Sequence, residues 1–419
     1  MAAWSNWSGS VQAEPAKIAA PQTVAELQAI VREASRVRVR GAGHSFMPLC
    51  ETDGALLSLE NLEGELEIAA DRKTVTAPAG WSLKRLTAAL WAAGLQLPNQ
   101  GDVNPQALAG AIATGTHGTG RALGSLSTIA RAFRLVTADG SVVDCSPTER
   151  PELFEAQRLS LGMLGVATRI TIDVLPAYRL EERIESRPLA EILEGFDEIA
   201  GAHRHAEFFV FPYADTVYLK TLHPTEEPDE GDLSGEEDDA AFGAIMDACS
   251  ADPSVIPAMH QRIAAAMRPS RRAGPAHLIF PSERSVRFEE MEYELPRANG
   301  LIALKAVIDW IRAGDKPVAF PFEFRWAAGD DIWLSPFNKG DGASISMHQY
   351  APMPWRALFA EAEAIFRDHG GRPHWAKRHT LTREDVDTLY PMAPRFRAVR
   401  RGVDPGGKFL NNHLADLFK

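Results

Sequence analysis

Three loops of small residues, each beside a predicted strand, constrain the fold of this chain more than any other feature. They lie at residues 40–45, 107–120 and 161–166. Glycine lets a backbone turn tightly and approach a ligand closely, and successive N–H groups in such turns form an anion-binding nest. Each loop alone also fits an ordinary glycine-rich turn, because short glycine motifs are weak signals. Together they are better explained by one extended, phosphate-bearing ligand.

The first loop follows a short strand and carries a reactive side chain. Alternation in Val37–Arg40 predicts the strand, and Gly41-Ala42-Gly43-His44-Ser45 follows at once. The second loop consists mainly of Ala, Gly and Thr, with His117 as its bulky polar residue. The third leads into a predicted strand at Arg169–Val174. No strand–GxGxxG–helix segment occurs near the N-terminus, which argues against a Rossmann domain.

The remaining periodicity predicts an α+β fold. Helices are expected at residues 22–35, 83–93, 301–311 and 355–368, and strand pairs at 66–69 with 74–77 and at 133–137 with 141–145. The hairpin signal is Asp139-Gly140. With 419 residues, roughly two domains are expected.

Composition narrows the classes of partner and compartment. The formal charge of −12 excludes non-specific binding to nucleic acid or anionic lipid. Three scattered cysteines fit a reducing compartment. Neither a secretory signal nor an apolar run of about 18 residues is visible, so we expect a cytoplasmic protein without a membrane segment. The oligomeric state stays open, and a monomer is compatible with the sequence.

Two groups of potential metal ligands are better explained without a metal. Residues 226–239 contain nine carboxylates, and a run of like charges favours a solvated, mobile segment over a cation site. His203 and His205 have no third ligand nearby in the sequence. We interpret them as structural or surface residues.

The last hundred residues contain a second chemical constellation. Phe322-Glu323-Phe324-Arg325-Trp326 alternates with period two, which places Glu323 and Arg325 on one strand face and the aromatic rings on the other. A surface ion pair is the ordinary reading of such a pair. Because the aromatic face is expected to be buried, the charged face is predicted to line a cavity. His348 lies in a further alternating segment, and His374 and Lys377 follow a Gly-Gly turn.

These motifs, taken in order, resemble one family. They are Gly41–Ser45, residues 113–120, residues 160–166, Glu323–Arg325 and residues 374–377. The pattern resembles the flavin-dependent aldonolactone oxidoreductases of the vanillyl-alcohol oxidase superfamily, which include the L-gulono-, L-galactono- and D-arabinono-1,4-lactone oxidases. The alditol oxidases are close relatives. The resemblance covers nearly the whole chain, and the acidic run is its least matched part.

The resemblance implies a two-domain α+β flavoprotein. A FAD-binding domain would span residues 1–177, a cap domain for the substrate 178–400, and residues 401–419 would return to the first domain. His44 matches the histidine that many members link covalently to the flavin, and a neutral imidazole is a competent nucleophile. The other positions matched to cofactor contacts are Arg40, Gly41, Ala42, Gly43, Ser45, Gly101, Asp102, Gly110, Thr114, Gly115, Thr116, His117, Gly165, Val166 and His374.

The resemblance also implies the catalytic groups. Glu323, Arg325 and Lys377 match charged residues beside the flavin, where a carbinol carbon gives up a hydride as its hydroxyl proton leaves. Arg325 and Lys377 would stabilise developing negative charge, and Glu323 would orient Arg325. Asp102 and His348 are further predicted substrate contacts, and His348 and His374 fit a structural role equally well. The proton acceptor stays open; Lys377 qualifies if a cationic neighbour favours its neutral form.

Two positions bear on the electron acceptor and the substrate. Glycine at the position of Gly101 is associated in the family with oxygen access, which implies an oxidase that forms hydrogen peroxide. Asp102 replaces a substrate-contacting serine of the alditol oxidases, which favours a sugar 1,4-lactone, oxidised at its C2 hydroxyl. The alternatives are an alditol oxidase acting on xylitol or sorbitol, and a lactone dehydrogenase with a non-oxygen acceptor. A binding protein without redox activity is disfavoured by the retained charged residues.

Overall fold

The computed structural model describes residues 3–234, 239–282 and 285–419. The strands are β1 Trp4–Ser5, β2 Gln12–Ala13, β3 Lys17–Ala19, β4 Val37–Arg40, β5 Ala55–Ser58, β6 Glu67–Ile68, β7 Thr74–Pro78, β8 Leu95–Gln96, β9 Ala130–Val136, β10 Val142–Cys145, β11 Val166–Asp173, β12 Leu175–Pro176, β13 Arg179–Pro188, β14 His205–Val210, β15 Thr216–Pro224, β16 Ser270–Pro275, β17 Phe288–Pro296, β18 Phe322–Ala327, β19 Gly342–Tyr350 and β20 Arg372–Pro373.

Helices occur in both halves of the chain. They are α1 Val24–Glu33, α2 Leu83–Ala92, α3 Leu108–Thr114, α4 Pro151–Gln157, α5 Leu189–Ala202, α6 Asp239–Ala251, α7 Ile256–Ala266, α8 Ala276–Ile279, α9 Arg297–Ala313, α10 Arg356–Asp368, α11 Arg383–Leu389, α12 Ala393–Val403 and α13 Asn412–Phe418, with short 3₁₀ turns at Leu126–Ile129 and Pro253–Val255. Among the residues described, no helix combines the length and the apolar character needed to cross a membrane.

Two sheets build the N-terminal part of the molecule. Strands β3, β5 and β4 form a parallel sheet in that order, and β10, β9, β11, β7 and β6 form an antiparallel one. The predicted caps are confirmed: Thr23 accepts the N–H of Glu26 at the start of α1, and Ser82 accepts that of Arg85 at the start of α2. The predicted Asp139-Gly140 turn joins β9 to β10.

The second loop differs from the prediction of an irregular segment. Its residues Leu108–Thr114 form helix α3, which ends at Gly115 with a φ of +79°. Alanine is the strongest helix former, so the small residues that permit a close approach also favour a helix. Helix α9 begins at Arg297, four residues before the predicted start, since polar residues in its first turn hid the apolar stripe.

An eight-stranded antiparallel sheet dominates the second part of the molecule, in the order β16, β13, β15, β14, β18, β19, β17, β20. Its apolar face packs against helices α5, α9 and α10 through side chains such as Phe208, Phe324 and Tyr293. Since side chains alternate along a strand, the opposite face carries the polar residues Lys220, Glu207, Arg325, Ser344 and Glu294, which are successive cross-strand neighbours. This charged face is buried and positions the site.

The C-terminal segment packs into the core of the first part. Trp375, Tyr390, Phe396 and Phe418 share a cluster with side chains of α2, α3 and β9. Residues from Trp375 onward therefore contribute to the core of the first part. The domain limits at 177 and 400 stay a prediction.

The acidic run is solvent-exposed, as predicted, where the structure describes it, and its mobility stays a prediction. Glu226, Glu227, Asp229, Glu230 and Asp232 are exposed. The carboxylates at 236–238 lie outside the described residues.

Candidate active site

A cavity of about 590 Å³ lies between the small-residue loops and the charged sheet face. The loops at 40–45, 101–117 and 161–167 supply one wall. Strands β17, β18 and β19, with the segment 374–377, supply the other. The fold thus brings the two sequence constellations together, although more than 150 residues separate them in the chain.

Nearly all sequence-predicted site residues line this cavity. They are Arg40, Gly41, Ala42, Gly43, His44, Ser45, Gly101, Asp102, Gly110, Thr114, Thr116, His117, Gly165, Val166, Glu323, Arg325, His348, His374 and Lys377. The exception is Gly115, which is not part of the wall and instead caps helix α3. The individual roles of these residues stay predictions.

The loop wall suits a ligand with a diphosphate. Within the described chain, no backbone hydrogen bond uses the N–H groups of residues 41–45, so they are available to an anion. A Cβ built on Gly41 would lie 3.0 Å from the Cβ of Ala107, so the first two loops approach closely. The wall also contains Thr116 Oγ1 and Gln157 Oε1, which are buried and have no hydrogen-bond partner among the described residues. Such atoms call for a ligand partner.

The N-terminal segment holds His44 in place. The ring of Trp7 stacks on His44 with the two ring centroids 5.3 Å apart, and the backbone N–H of Trp7 donates to the Gly43 carbonyl oxygen at 2.8 Å. Burial, reinforced by the charge of Lys377, lowers the pKa of His44 to about 4. His44 is therefore neutral near pH 7, and its ring nitrogen keeps the lone pair that a nucleophile needs.

The predicted Glu323–Arg325 pair is confirmed as a buried ion pair. Arg325 Nη2 donates to Glu323 Oε2 at 2.7 Å and lies 3.4 Å from Ser346 Oγ. Carboxylate oxygens of Asp102, Glu207 and Glu323 lie within 4.8 Å of one another. Burial raises the pKa of Glu207 to about 7 against the charge of a neighbouring lysine. Arg325 is thus a fixed cation surrounded by acids.

Lys377 is surrounded by carboxylates. Its Nζ binds Glu290 Oε2 and lies 3.8 Å from Glu292 Oε2. Burial opposes the ionised form of Glu290, but Lys377 and His348 outweigh it and lower the pKa of Glu290 to about 2. Two carboxylates therefore lie next to the side chain that the sequence offered as a proton acceptor. These contacts fix the Lys377 ammonium group at the cavity wall, where it can stabilise negative charge that develops on a bound ligand.

His117 contacts acceptors at both ring nitrogens. Nδ1 lies 2.9 Å from the Gly118 carbonyl oxygen, and Nε2 lies 2.7 Å from Glu292 Oε1 and 3.1 Å from Glu294 Oε1. Burial alone would lower the pKa of His117, but Glu294 and Glu292 raise it to about 10. His117 therefore belongs as much to the charged sheet face as to the second loop.

Sequence reasoning missed three alternating glutamates of β17. Glu290, Glu292 and Glu294 alternate with Met291, Tyr293 and Leu295, a period-two pattern that indicates a half-buried strand. Glutamate is depleted in strands, which obscured this signal. Glu290 and Glu292 line the cavity wall.

Comparison with known proteins agrees with this geometry. Residues 170–417 match the family described as D-arabinono-1,4-lactone oxidase. The chain belongs to that family. Residues 15–146 match a FAD-binding domain. The protein is therefore a FAD-dependent oxidoreductase of the aldonolactone oxidase and dehydrogenase family, with alditol oxidases among its relatives.

Individual relatives align over nearly their whole length. The chain is 39% identical to an L-gulono-1,4-lactone dehydrogenase of Mycobacterium tuberculosis, covering 98% of this chain and 97% of the relative. It is 34% identical to an L-gulonolactone oxidase of Scyliorhinus torazame, with 99% and 97% covered, and 33% identical to an alditol oxidase of a Streptomyces species, with 98% covered in both. A solvent-stable cholesterol oxidase shares the fold, with a TM-score of 0.85 at 19% identity, covering 100% of this chain and 97% of that one. The fold is of the vanillyl-alcohol oxidase type.

Proposed function

We propose that this protein oxidises the C2 hydroxyl of a sugar 1,4-lactone of the L-gulono, L-galactono or D-arabinono type. The observation that carries the proposal is one cavity wall that holds the Glu323–Arg325 pair and Lys377 opposite the small-residue loops. A bound FAD would supply hydride acceptance to this wall. The loop residues 41–45 and Thr116 would hold its diphosphate end.

The chain's own residues would do the electrostatic work. Arg325 and Lys377 are already held in place by acids, so they can stabilise alkoxide character without reorganising. Glu323 orients Arg325 and offers an acceptor for a substrate hydroxyl. Burial of the whole wall strengthens these interactions, because water is largely excluded.

A substrate panel tests this function. Anaerobic mixing with L-gulono-, L-galactono- and D-arabinono-1,4-lactone is expected to bleach the oxidised flavin spectrum, with xylitol and sorbitol much slower. Turnover of the polyols with none of the lactones would establish the second candidate, an alditol oxidase, which the Streptomyces relative favours. Absence of bleaching by every compound would refute the redox function.

Oxygen is the proposed acceptor. A Cβ built on Gly101 would lie 3.1 Å from the His117 carbonyl oxygen and 3.2 Å from Thr116 Cγ2, so the glycine leaves a small space that a methyl group would fill. The expected result is oxygen consumption with stoichiometric hydrogen peroxide. The Mycobacterium relative is named a dehydrogenase, and turnover with a dye but not with oxygen would establish that alternative.

The FAD is proposed to be attached covalently through His44. Acid precipitation of the wild-type protein is expected to leave the yellow colour in the pellet, whereas His44→Ala should release its flavin to the supernatant. The neutral imidazole, held by Trp7, is the physical basis. His348→Ala is the control, since it removes a histidine of the opposite wall and should keep the covalent flavin. Free flavin from the wild-type protein would contradict the attachment.

A further inference from the structure

The proton acceptor of the reaction has no assigned residue, and the structure contains a buried group suited to it. Glu292 and Glu294 lie two residues apart on β17 and point to the same side, where both contact His117 Nε2. Glu292 belongs to the cavity wall, whereas Glu294 lies behind it. Both are almost completely buried, at 2% exposed.

Geometry alone requires a proton in this group. The Gly118 carbonyl oxygen can only accept, so His117 Nδ1 must donate to it. His117 Nε2 then either donates to the carboxylates as an imidazolium or accepts from a protonated carboxyl. In both cases His117, Glu292 and Glu294 together hold one proton more than a neutral histidine between two carboxylates.

A second proton also has a place. With that first proton alone, the group carries a net charge of −1 in a buried site. One ring nitrogen of His117 and one carboxylate oxygen from each glutamate all lie within 4.8 Å of one another. The two carboxyl groups are therefore close enough to share a proton. Glu294 Oε2 is buried and has no hydrogen-bond partner within the described residues, which disfavours the ionised form. Burial accordingly raises the pKa of Glu294 to about 7, against the charge of His117.

We propose that the Glu292–Glu294 pair, held on His117, accepts the hydroxyl proton of the substrate through Glu292. The O–H bond breaks and its proton passes to the pair, while the C–H bond breaks and its hydrogen leaves with both electrons as hydride, so that the carbonyl forms. A bound FAD would accept this hydride, and the electron acceptor would finally take up the two electrons. This inference rests on the proposed function.

The surroundings of Glu292 fit this role. Ser344 Oγ donates to Glu292 Oε1 at 2.8 Å, which fixes the carboxyl group, and Lys377 Nζ lies 3.8 Å from Oε2 at the cavity side. Charged or titratable groups from several elements face the pair. They are Glu290 on the same strand, His117 on the second loop, Arg325 on β18, His374 and Lys377 in the segment 374–377, and Arg372 and Tyr390 near Glu294. Among these groups, the cations Arg325 and Lys377 can stabilise the negative charge that develops on the substrate oxygen as its proton passes to Glu292.

Glu294→Gln provides the first test. Infrared titration of the oxidised protein without substrate is expected to show a buried carboxylic acid C=O band that disappears as the pH rises through about 7. The variant should lose the Glu294 component of this band, whereas Glu207, whose pKa burial also raises to about 7, keeps a component of its own. Glu182→Gln is the matched control, because Glu182 is equally buried on the same sheet, pairs with Arg272 at 2.7 Å and lies outside the cavity wall. A band of unchanged intensity in Glu294→Gln would overturn the proposal.

Anaerobic flavin reduction provides the second test. Wild-type reduction is expected to accelerate as the pH rises through about 7, because only an ionised pair can take up the proton. In Glu294→Gln the rate of flavin reduction should no longer rise with pH through this range. Glu292→Gln should slow reduction by about 10²–10⁴-fold, with substrate affinity changed far less. Glu182→Gln should follow the wild type.

The outcomes separate this proposal from the function on which it rests. Normal reduction by Glu292→Gln, or an unchanged pH profile in Glu294→Gln, would overturn the proton acceptor alone. Failure of every lactone and polyol to reduce the flavin would overturn both. A stoichiometric divalent metal in the purified protein would assign His117, Glu292 and Glu294 to a cation and would also overturn the proposal.

Discussion

Arg325→Met is expected to lower the free energy of unfolding by about 3–5 kcal/mol, because it removes the cation that pairs with the buried Glu323. Arg325 is 7% exposed and Glu323 is 3% exposed, so water cannot replace the lost partner. Flavin reduction should fall by about 10²–10³-fold, the usual loss when one preorganised donor is removed. Urea unfolding and anaerobic stopped-flow absorbance measure the two effects.

Two further variants separate stability from catalysis. Adding Glu323→Gln to Arg325→Met should restore part of the stability, since Glu323 then no longer carries a charge without its cation, while flavin reduction stays slow. Arg272→Met breaks a partly buried pair of the same sheet, with Glu182 at 2.7 Å, and should destabilise the protein without slowing reduction. Wild-type reduction by Arg325→Met would show that this residue serves the fold alone.

The Glu323–Arg325 pair also shows which parts of the site follow from local sequence rules. Period-two alternation in a strand is a local property, so Phe322–Trp326 sufficed to place both charges opposite the aromatic rings. Helix caps at Thr23 and Ser82 follow from equally local rules. The first and third loops were predictable for the same reason, because glycine permits a tight turn wherever it occurs, whereas Leu108–Thr114 of the second loop form helix α3.

The partners of the β17 glutamates could not be predicted in this way. Lys377 is 87 residues from Glu290 along the chain, and His117 is 175 residues from Glu292. Their contacts depend on the order of strands in the eight-stranded sheet, which places β17 beside β19 and β20. A run with four glutamates looks solvated until that order is known. Local propensity therefore gave no indication of the environment of the proposed proton acceptor.

Arg38 is a second residue whose environment depends on long-range packing. It alternates with valines in β4, yet it is 4% exposed. Its guanidinium donates to the carbonyl oxygens of Leu49 at 2.7 Å, Leu161 at 2.7 Å, Gly162 at 3.2 Å and Phe409 at 2.5 Å. These acceptors come from three distant segments, including the third small-residue loop. One planar cation thus joins β4 to that loop and to the C-terminus.

Arg38→Met is therefore expected to lower the free energy of unfolding by about 4 kcal/mol, because hydrogen bonds from a charged donor are lost and buried carbonyl groups keep no partner. Arg36→Met is the control: its pair with Asp53 at 3.2 Å is exposed, so the change should stay within about 1 kcal/mol. Urea unfolding measures both. Arg38→Lys should recover only part of the loss, because one ammonium cannot match the fork of a guanidinium.

Flavin content gives the Arg38 prediction a second readout. Arg38 and Gly162 both belong to the cavity wall, so without the guanidinium the third loop loses its tie to β4 just beneath the first loop. Folded Arg38→Met protein should then contain less FAD than Arg36→Met protein at equal concentration. Equal unfolding midpoints and equal flavin content in the two variants would contradict the anchor, and would mean that water satisfies these carbonyl groups instead.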